Sequence, residues 1–373
     1  MRSTFDAVVV GAGIVGAACA WELSNAGLRV AVYDSGIAGG GATAAGMGHI
    51  ALMDDSEPQF ALTRYSQLLW RDLSSILPSS AEYLRCGAIW VAAGEEDLRE
   101  VRRKERFYSD RGVPVETLDS GQLSEAEPNL RRGLIGGLLL CEDAVCYPPV
   151  VTRFLLERAV SQGATWMPGT AVHAIDSSGV TVNGGTRLSN EIVIWATGAS
   201  AAALIPELPV IPRKGHLVIT DRYSGFLRHQ LIELGYLRSA HAVESDSVAF
   251  NVQPRVTGQI LIGSSRQFGV DTPGVDSAIL SAMLRRAAEY MPGVTALSAI
   301  RVWTGFRAAT PDKLPLIGRY PAIRGLYLAT GHEGLGISTS LATARLLADE
   351  ILGRTSEIPR EPYAPERSFV AHA

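Results

Sequence analysis

Cysteine is scarce in this chain of 373 residues: Cys19, Cys86, Cys141 and Cys146 form no CxxC pair and no zinc-ligand spacing. A disulfide scaffold and a cysteine-held metal are therefore excluded, and reduced, buried thiols in a cytoplasmic protein are the expectation. Positive charge is not in surplus either. With 34 Lys and Arg against 38 Asp and Glu, the net charge of −4 offers nothing to a nucleic-acid backbone. Long apolar runs are absent. The longest stretch of apolar and small residues, 8–21, is too short to span a bilayer, and no leader is expected ahead of it. Tandem repeats and low-complexity segments are also missing. What remains is a globular chain, 47% apolar and long for a single core, so two domains are the natural reading.

Glycine is what the chain has, 38 of them, and their positions carry the argument. Residues 5–34, FDAVVVGAGIVGAACAWELSNAGLRVAVYD, read as strand, glycine turn, helix and second strand. Gly11 lets the chain leave the first strand sharply, Gly13 lets main chain approach a pyrophosphate, and Gly16 lets the helix pack close to the sheet. The helix starting at Ile14 and Val15 then turns free N–H groups and its positive end toward a diphosphate. Asp34 lies 18 residues past Gly16 (34 − 16) at the end of the second strand, followed by Ser35. A carboxylate there accepts from ribose hydroxyls and repels a 2′-phosphate, which argues against NADP.

Further bends of the same texture follow. Residues 35–50 are nearly free of bulky or charged side chains, with Thr43 placed to offer a hydroxyl to phosphate. Residues 57–77 have helical spacing, with Phe60, Tyr65, Leu68, Leu69, Leu73 and Ile76 as the buried stripe. A strand at 87–93, a charged helix at 95–112 and a strand at 133–140 come next. Arg102, Arg103, Lys104 and Arg106 read as a solvated helix face. Pro148 and Pro149 open a helix, and the strand 190–195 runs into Ala196, Thr197, Gly198 and Ala199, a second place where main chain can meet a ligand. Residues 210–300 alternate as antiparallel strands, 216–221, 248–254 and 259–265, closed by a helix at 276–292. Arg307 falls in a strand among apolar and small neighbours, where a substrate carboxylate is the fitting partner for its guanidinium and an internal salt bridge the alternative. Residues 325–352 repeat strand, glycine turn and helix.

The set GAGIVG with Asp34, GATAAGMGHI, IVIWATGAS, GFRAATPDKLPLIG and LYLATGHEGLGI resembles the FAD-dependent D-amino-acid oxidase family over nearly the whole chain. Within it the chain is similar to glycine oxidase, sarcosine oxidase β-type and D-hydroxyproline dehydrogenase chains. The resemblance implies an α/β (α+β two-domain) fold, a Rossmann-type FAD-binding domain with an inserted antiparallel-sheet substrate domain. It places the FAD domain in 1–80, 142–212 and 303–373, and the substrate domain in 81–141 and 213–302. Carried over, Gly11, Gly13 and Gly16 hold the diphosphate and Asp34 the ribose. Thr43, Ala44, Ala45, Gly46 and Met47 line the ribityl chain and flavin, Val172 meets the adenine side, and Gly198 lies near the diphosphate. His332, Glu333, Gly334, Leu335, Gly336 and Ile337 face the flavin's N1–C2=O edge.

The activity implied is hydride transfer from Cα of a small amino acid to the flavin, giving an imine, with Arg307 and His332 as the catalytic pair. No cysteine follows Cys146, so the FAD is expected to be non-covalent. Among Lys104, Lys214 and Lys313, the latter two are the candidates for an oxygen-activating lysine, which leaves oxygen, a quinone or a partner subunit open as electron acceptor. His49, His216, His241 and His332 are candidate polar wall residues, and Met47, Tyr236 and Asn251 candidate substrate contacts. D-hydroxyproline or D-proline is the substrate expected, with glycine, sarcosine and opines as alternatives. A NAD-dependent dehydrogenase and a flavin subunit of a larger homo- or hetero-oligomeric complex are the competing classes.

Overall fold

The computed structural model describes residues 5–188, 192–235 and 246–369. Two large sheets organise it. The first has six strands in the order Leu316–Arg319, Leu326–Thr330, Ile192–Trp195, Ala7–Val10, Val30–Tyr33, Thr165–Met167. All neighbours run parallel except the Leu316–Arg319 edge. Its central strands are covered on both sides, which is why they read as unbroken apolar runs. Ala7 and Val9 pack toward the helices Ile14–Asn25, Pro148–Ser161 and Gly336–Ile351. Val8 and Val10 pack toward Val180 and Val182 of a small antiparallel sheet, Val172–Asp176, Gly179–Val182 and Arg187–Leu188. This mixed architecture matches the fold class inferred from the resemblance.

The second sheet has eight strands in the order Ala299–Ala309, Ile211–Thr220, Ile260–Arg266, Ser247–Pro254, Gln230–Glu233, Ala88–Ala92, Gly136–Leu140, Val115–Asp119. It is antiparallel with one exception. Gln230–Glu233 pairs parallel to Ala88–Ala92, and this junction welds the 88–140 segment onto the 211–309 segment. The domain boundary expected at residue 303 falls inside the strand Ala299–Ala309. The helix Ser277–Tyr290 closes one face, with Tyr290 stacked on Phe250 at 4.6 Å between ring centroids.

Two readings of helix faces change. In Glu57–Ser74 the buried side chains include Ser66, Gln67 and Trp70, while Ile76 beyond its end is half exposed. That face meets the C-terminal helix through polar bonds: Trp70 Nε1 donates to the Ile337 carbonyl at 3.1 Å, and Ser66 Oγ accepts from the Ala342 N–H. On Glu95–Ser109, Lys104 is fully buried rather than solvated. Its ammonium pairs with Asp54 and sits 4.7 Å from the centre of the Trp90 ring. Among the described residues no helix is long and apolar enough to cross a membrane.

Candidate active site

The two sheets meet along a cavity of about 850 Å³ whose wall runs from Gly11, Gly13 and Asp34 at one end to Trp90, Asn251 and Arg307 at the other. The first end is built by steric exclusion. Gly11 has φ +102°, and a Cβ there would stand 2.5 Å from the Ala196 carbonyl oxygen. A Cβ on Gly16 would stand 1.9 Å from the Gly11 oxygen, so the helix reaches the strand only because both lack side chains. Asp34 accepts from the Ala12 and Gly36 N–H groups, each at 2.7 Å, which fixes its carboxylate at the cavity edge. Thr43 Oγ1 accepts from the Ile14 N–H at 3.0 Å, so one of the first-turn donors expected to face a diphosphate is held by the loop instead.

The residues present fit a dinucleotide. Thr197 lines the cavity with a buried Oγ1 that has no partner among the described residues, a donor waiting for an acceptor. Ile14, Val15, Thr43, Ala44, Ala45, Gly46, Met47, Ala196 and Gly198 share that wall. Ser35 and Val172 do not line it: Ser35 is exposed, and Val172 packs in the core beneath the first sheet. The stretch 42–47 is anchored to the second sheet, since Trp303 Nε1 donates to the Ala45 carbonyl and Gln253 Nε2 to the Met47 carbonyl.

Arg307 occupies the far end. Its stem lies against Gly334 and its guanidinium against Gly215, where added Cβ atoms would stand 3.2 Å from Cδ and 2.4 Å from Nη1. Nη1 donates to the Ser265 carbonyl at 2.9 Å, which aims the planar group along the cavity wall. The turn 332–337 lies beside it and opens the helix Gly336–Ile351, whose unpaired N–H groups and positive dipole end face the cavity. His332 is buried, its Nε2 is 3.0 Å from Thr343 Oγ1, and burial pushes its pKa down to about 4. It is therefore a neutral wall group at neutral pH.

The remaining candidates separate. His49, Met47, Asn251 and Lys313 line the cavity, and burial lowers the Lys313 pKa. His216 does not line it, contrary to expectation. It is fully buried, with Nδ1 2.9 Å from Ser265 Oγ and Nε2 accepting from the Asp276 N–H at 3.0 Å, so it braces the strand behind Arg307. Lys214 is buried away from the wall. Tyr236 and His241 lie outside the described residues. Unanticipated wall residues include Trp90, Ile232, Ser264 and Arg266, and Glu333 is ion-paired with Arg213. Asp143, buried beside His49, was also unmarked. The available signal is the adjacent Glu142 and Asp143 in the otherwise apolar run before Pro148.

Comparison with known proteins places this geometry. Residues 6–350 match the DAO family, described as FAD dependent oxidoreductase. Glycine oxidase of Geobacillus kaustophilus is 29% identical, with 98% of each chain covered, and its crystal structure superposes with a TM-score of 0.88 over 98% of this chain and 99% of that one. Hydrogen cyanide synthase subunit HcnC of Pseudomonas aeruginosa is 27% identical over 98% of this chain and 97% of its own. D-amino acid dehydrogenase of Cereibacter sphaeroides is 26% identical over 96% and 94%.

Proposed function

Because the chain belongs to the DAO family of FAD-dependent oxidoreductases, we propose that it oxidises a small amino acid at Cα, the best candidate being D-hydroxyproline or D-proline. The observation that carries this reading is Arg307, a guanidinium held between two glycines on the wall of the cofactor cavity. A carboxylate is the anion its planar fork fits, bidentately and with charge-assisted bonds. FAD supplies the hydride acceptor. The chain's own groups orient the substrate: Arg307 fixes the carboxylate, and the cavity walls at Met47, Trp90 and Ile232 limit side-chain size and exclude water. Gly11, Gly13, Asp34 and Thr197 would hold the dinucleotide, Gly16 lets the helix pack close to that turn, and the positive end of the helix Gly336–Ile351 on the cavity wall would favour negative charge on a bound cofactor. Neutral His332 contributes shape and hydrogen bonding without charge.

In this reading the six-stranded sheet belongs to the FAD domain and the eight-stranded sheet walls the substrate. A second reading, oxidation of glycine, is supported by the likeness to the glycine oxidase of Geobacillus kaustophilus, and sarcosine stays beside it as an alternative substrate. The subunit status of the Pseudomonas aeruginosa relative supports a hetero-oligomeric setting, with a partner subunit, a quinone or oxygen taking the electrons. Anaerobic mixing of the purified holoprotein with D-proline, 4-hydroxy-D-proline, glycine, sarcosine and an opine, followed by loss of the flavin absorbance, tests the reading. Bleaching is expected with the cyclic amines first. Bleaching by none of the panel would refute it.

A further inference from the structure

His49 and Asp143 form a pair that the carboxylate anchor does not use. The strand His49–Ile50 lies antiparallel to Ala144–Val145, with His49 opposite Val145, which brings Asp143 alongside the imidazole. Nε2 of His49 is 3.4 Å from Asp143 Oδ2. The Asp143 side chain is 1% exposed, and its Oδ1 already accepts from the Leu52 N–H and the Gln67 amide, both at 3.1 Å. Oδ2 has no other partner among the described residues, and burial raises the Asp143 pKa. A buried carboxylate oxygen in that position calls for a donor, and the imidazole Nε2–H is the group facing it. Apart from the 3.4 Å approach to Asp143, Nε2 has no partner among the described residues, none of them bonds the second ring nitrogen, Nδ1, and the ring lines the cavity.

The backbone of His49 is pinned where this matters. Ser338 Oγ donates to the His49 carbonyl and accepts from the Ala51 N–H, each at 3.0 Å. Arg307 packs against Gly334, four positions before Ser338 on the same turn and helix start, and guanidinium and imidazole both line the cavity. Met47, Trp90 and Ile232 supply apolar wall, and Asn251 Oδ1 accepts from Gln230 Nε2 at 3.0 Å. A ligand whose carboxylate sits on Arg307 thus shares the cavity with His49, an imidazole whose ring is set by Asp143 and the strand pairing.

We propose that His49, oriented by Asp143, accepts a hydrogen bond at Nδ1 from a hydroxyl on the substrate's ring or side chain, making the enzyme prefer hydroxylated amino acids to their plain counterparts. The proposal rests on the amino-acid reading above. An analogue without the hydroxyl leaves Nδ1 dehydrated and unpaired, which is the source of discrimination.

The test uses FAD-loaded wild type, His49→Leu, His49→Gln and Asp143→Asn, with both 4-hydroxy-D-proline epimers and D-proline as ligands. Anaerobic flavin reduction gives kcat/KM, and equilibrium binding of the non-oxidisable pyrrole-2-carboxylate reports the anchor alone. Wild type should favour one hydroxylated epimer over D-proline. His49→Leu should lower kcat/KM for that epimer by about 10- to 100-fold, the worth of one to two hydrogen bonds, and leave D-proline within about threefold. His49→Gln, which keeps an acceptor, should recover part of the preference, and Asp143→Asn should weaken it. Pyrrole-2-carboxylate binding should be unchanged in His49→Leu. Equal losses on both substrates would overturn the proposal and make His49 a proton acceptor or structural group, and no loss on either would overturn it outright. If glycine reduces the flavin and neither cyclic amine does, the cyclic-substrate reading itself falls.

Discussion

Gly215→Ala is the sharpest probe of the carboxylate anchor, because it moves Arg307 without replacing it. A Cβ at residue 215 would stand 2.4 Å from Arg307 Nη1 and 2.9 Å from both Cζ and Nη2. Ordinary contact requires about 3.5 Å or more, so the guanidinium must retreat by roughly an ångström. Cδ and Nε lie beside Gly334, where an added Cβ would stand 3.2 Å from each, so the shift is taken up at the far end of the side chain. The bond from Nη1 to the Ser265 carbonyl at 2.9 Å must then stretch or break, and the fork no longer meets a carboxylate bidentately. A charge-assisted hydrogen bond contributes about 1.5–3 kcal/mol, so loss of one should weaken substrate binding by about 10- to 150-fold. Alanine is otherwise tolerated at this position, which lies mid-strand in Ile211–Thr220 with no left-handed backbone requirement.

The assay is anaerobic flavin reduction against substrate concentration, with FAD content checked by absorbance. The half-saturating concentration should rise by the factor above, while the flavin spectrum of the resting enzyme stays the same. Combining the change with Arg307→Ala closes the argument: if Gly215 acts through Arg307, the double variant is no worse than Arg307→Ala alone. Fully additive losses, or a half-saturating concentration within twofold of wild type in Gly215→Ala, would refute the reasoning.

Gly16→Ala should abolish FAD retention on gel filtration, because its Cβ would stand 1.9 Å from main-chain oxygen of Gly11, which has no rotamer to change; a yellow, stoichiometric variant would contradict this. Lys104→Ala strands the buried Asp54 carboxylate with the partly exposed Arg103 and the Tyr108 hydroxyl, and should lower unfolding free energy by about 3 kcal/mol in a urea titration. His332 has its folded pKa depressed to about 4 from 6.5, so the unfolded chain binds the extra proton between those values. Its contribution, about 3 kcal/mol, is complete above pH 6.5 and is lost as pH falls toward 4; His332→Gln should remove that part of the pH dependence of stability.

What could be read before folding was what the backbone demands locally. Gly11, Gly16 and Asp34 answer to one turn and its immediate partners, and the helix opening at Gly336 follows its own glycine turn, so residue order alone marks glycine turns that come to both ends of the cavity. The place of Arg307 on the cavity wall is what an arginine among apolar and small strand residues suggests, since burial there calls for a partner. The errors lie where a partner is remote. Sequence pattern makes His216 a candidate wall residue, yet its bonds go to Ser265 and Asp276, 49 and 60 positions away, and the ring does not line the cavity. Lys104 was read from its own charged helix, but Asp54, 50 positions earlier, draws it inside. The parallel strand Gln230–Glu233 is four residues long and pairs with a segment some 140 positions earlier, too short and too distant for periodicity to register.

The same contrast explains why the family was easier to recognise than the substrate. FAD-binding geometry is enforced by bends in which only glycine fits, and such bends leave a fixed spelling in the chain. In the reading proposed above, substrate choice depends on His49 with Asp143, 94 positions apart (143 − 49), and on strands from both halves of the eight-stranded sheet. No local pattern distinguishes a histidine whose far nitrogen is held by a buried carboxylate from one that is merely exposed. The information is in the register of His49–Ile50 against Ala144–Val145, and a shift of one residue there would swing Asp143 off the ring and remove the acceptor's orientation.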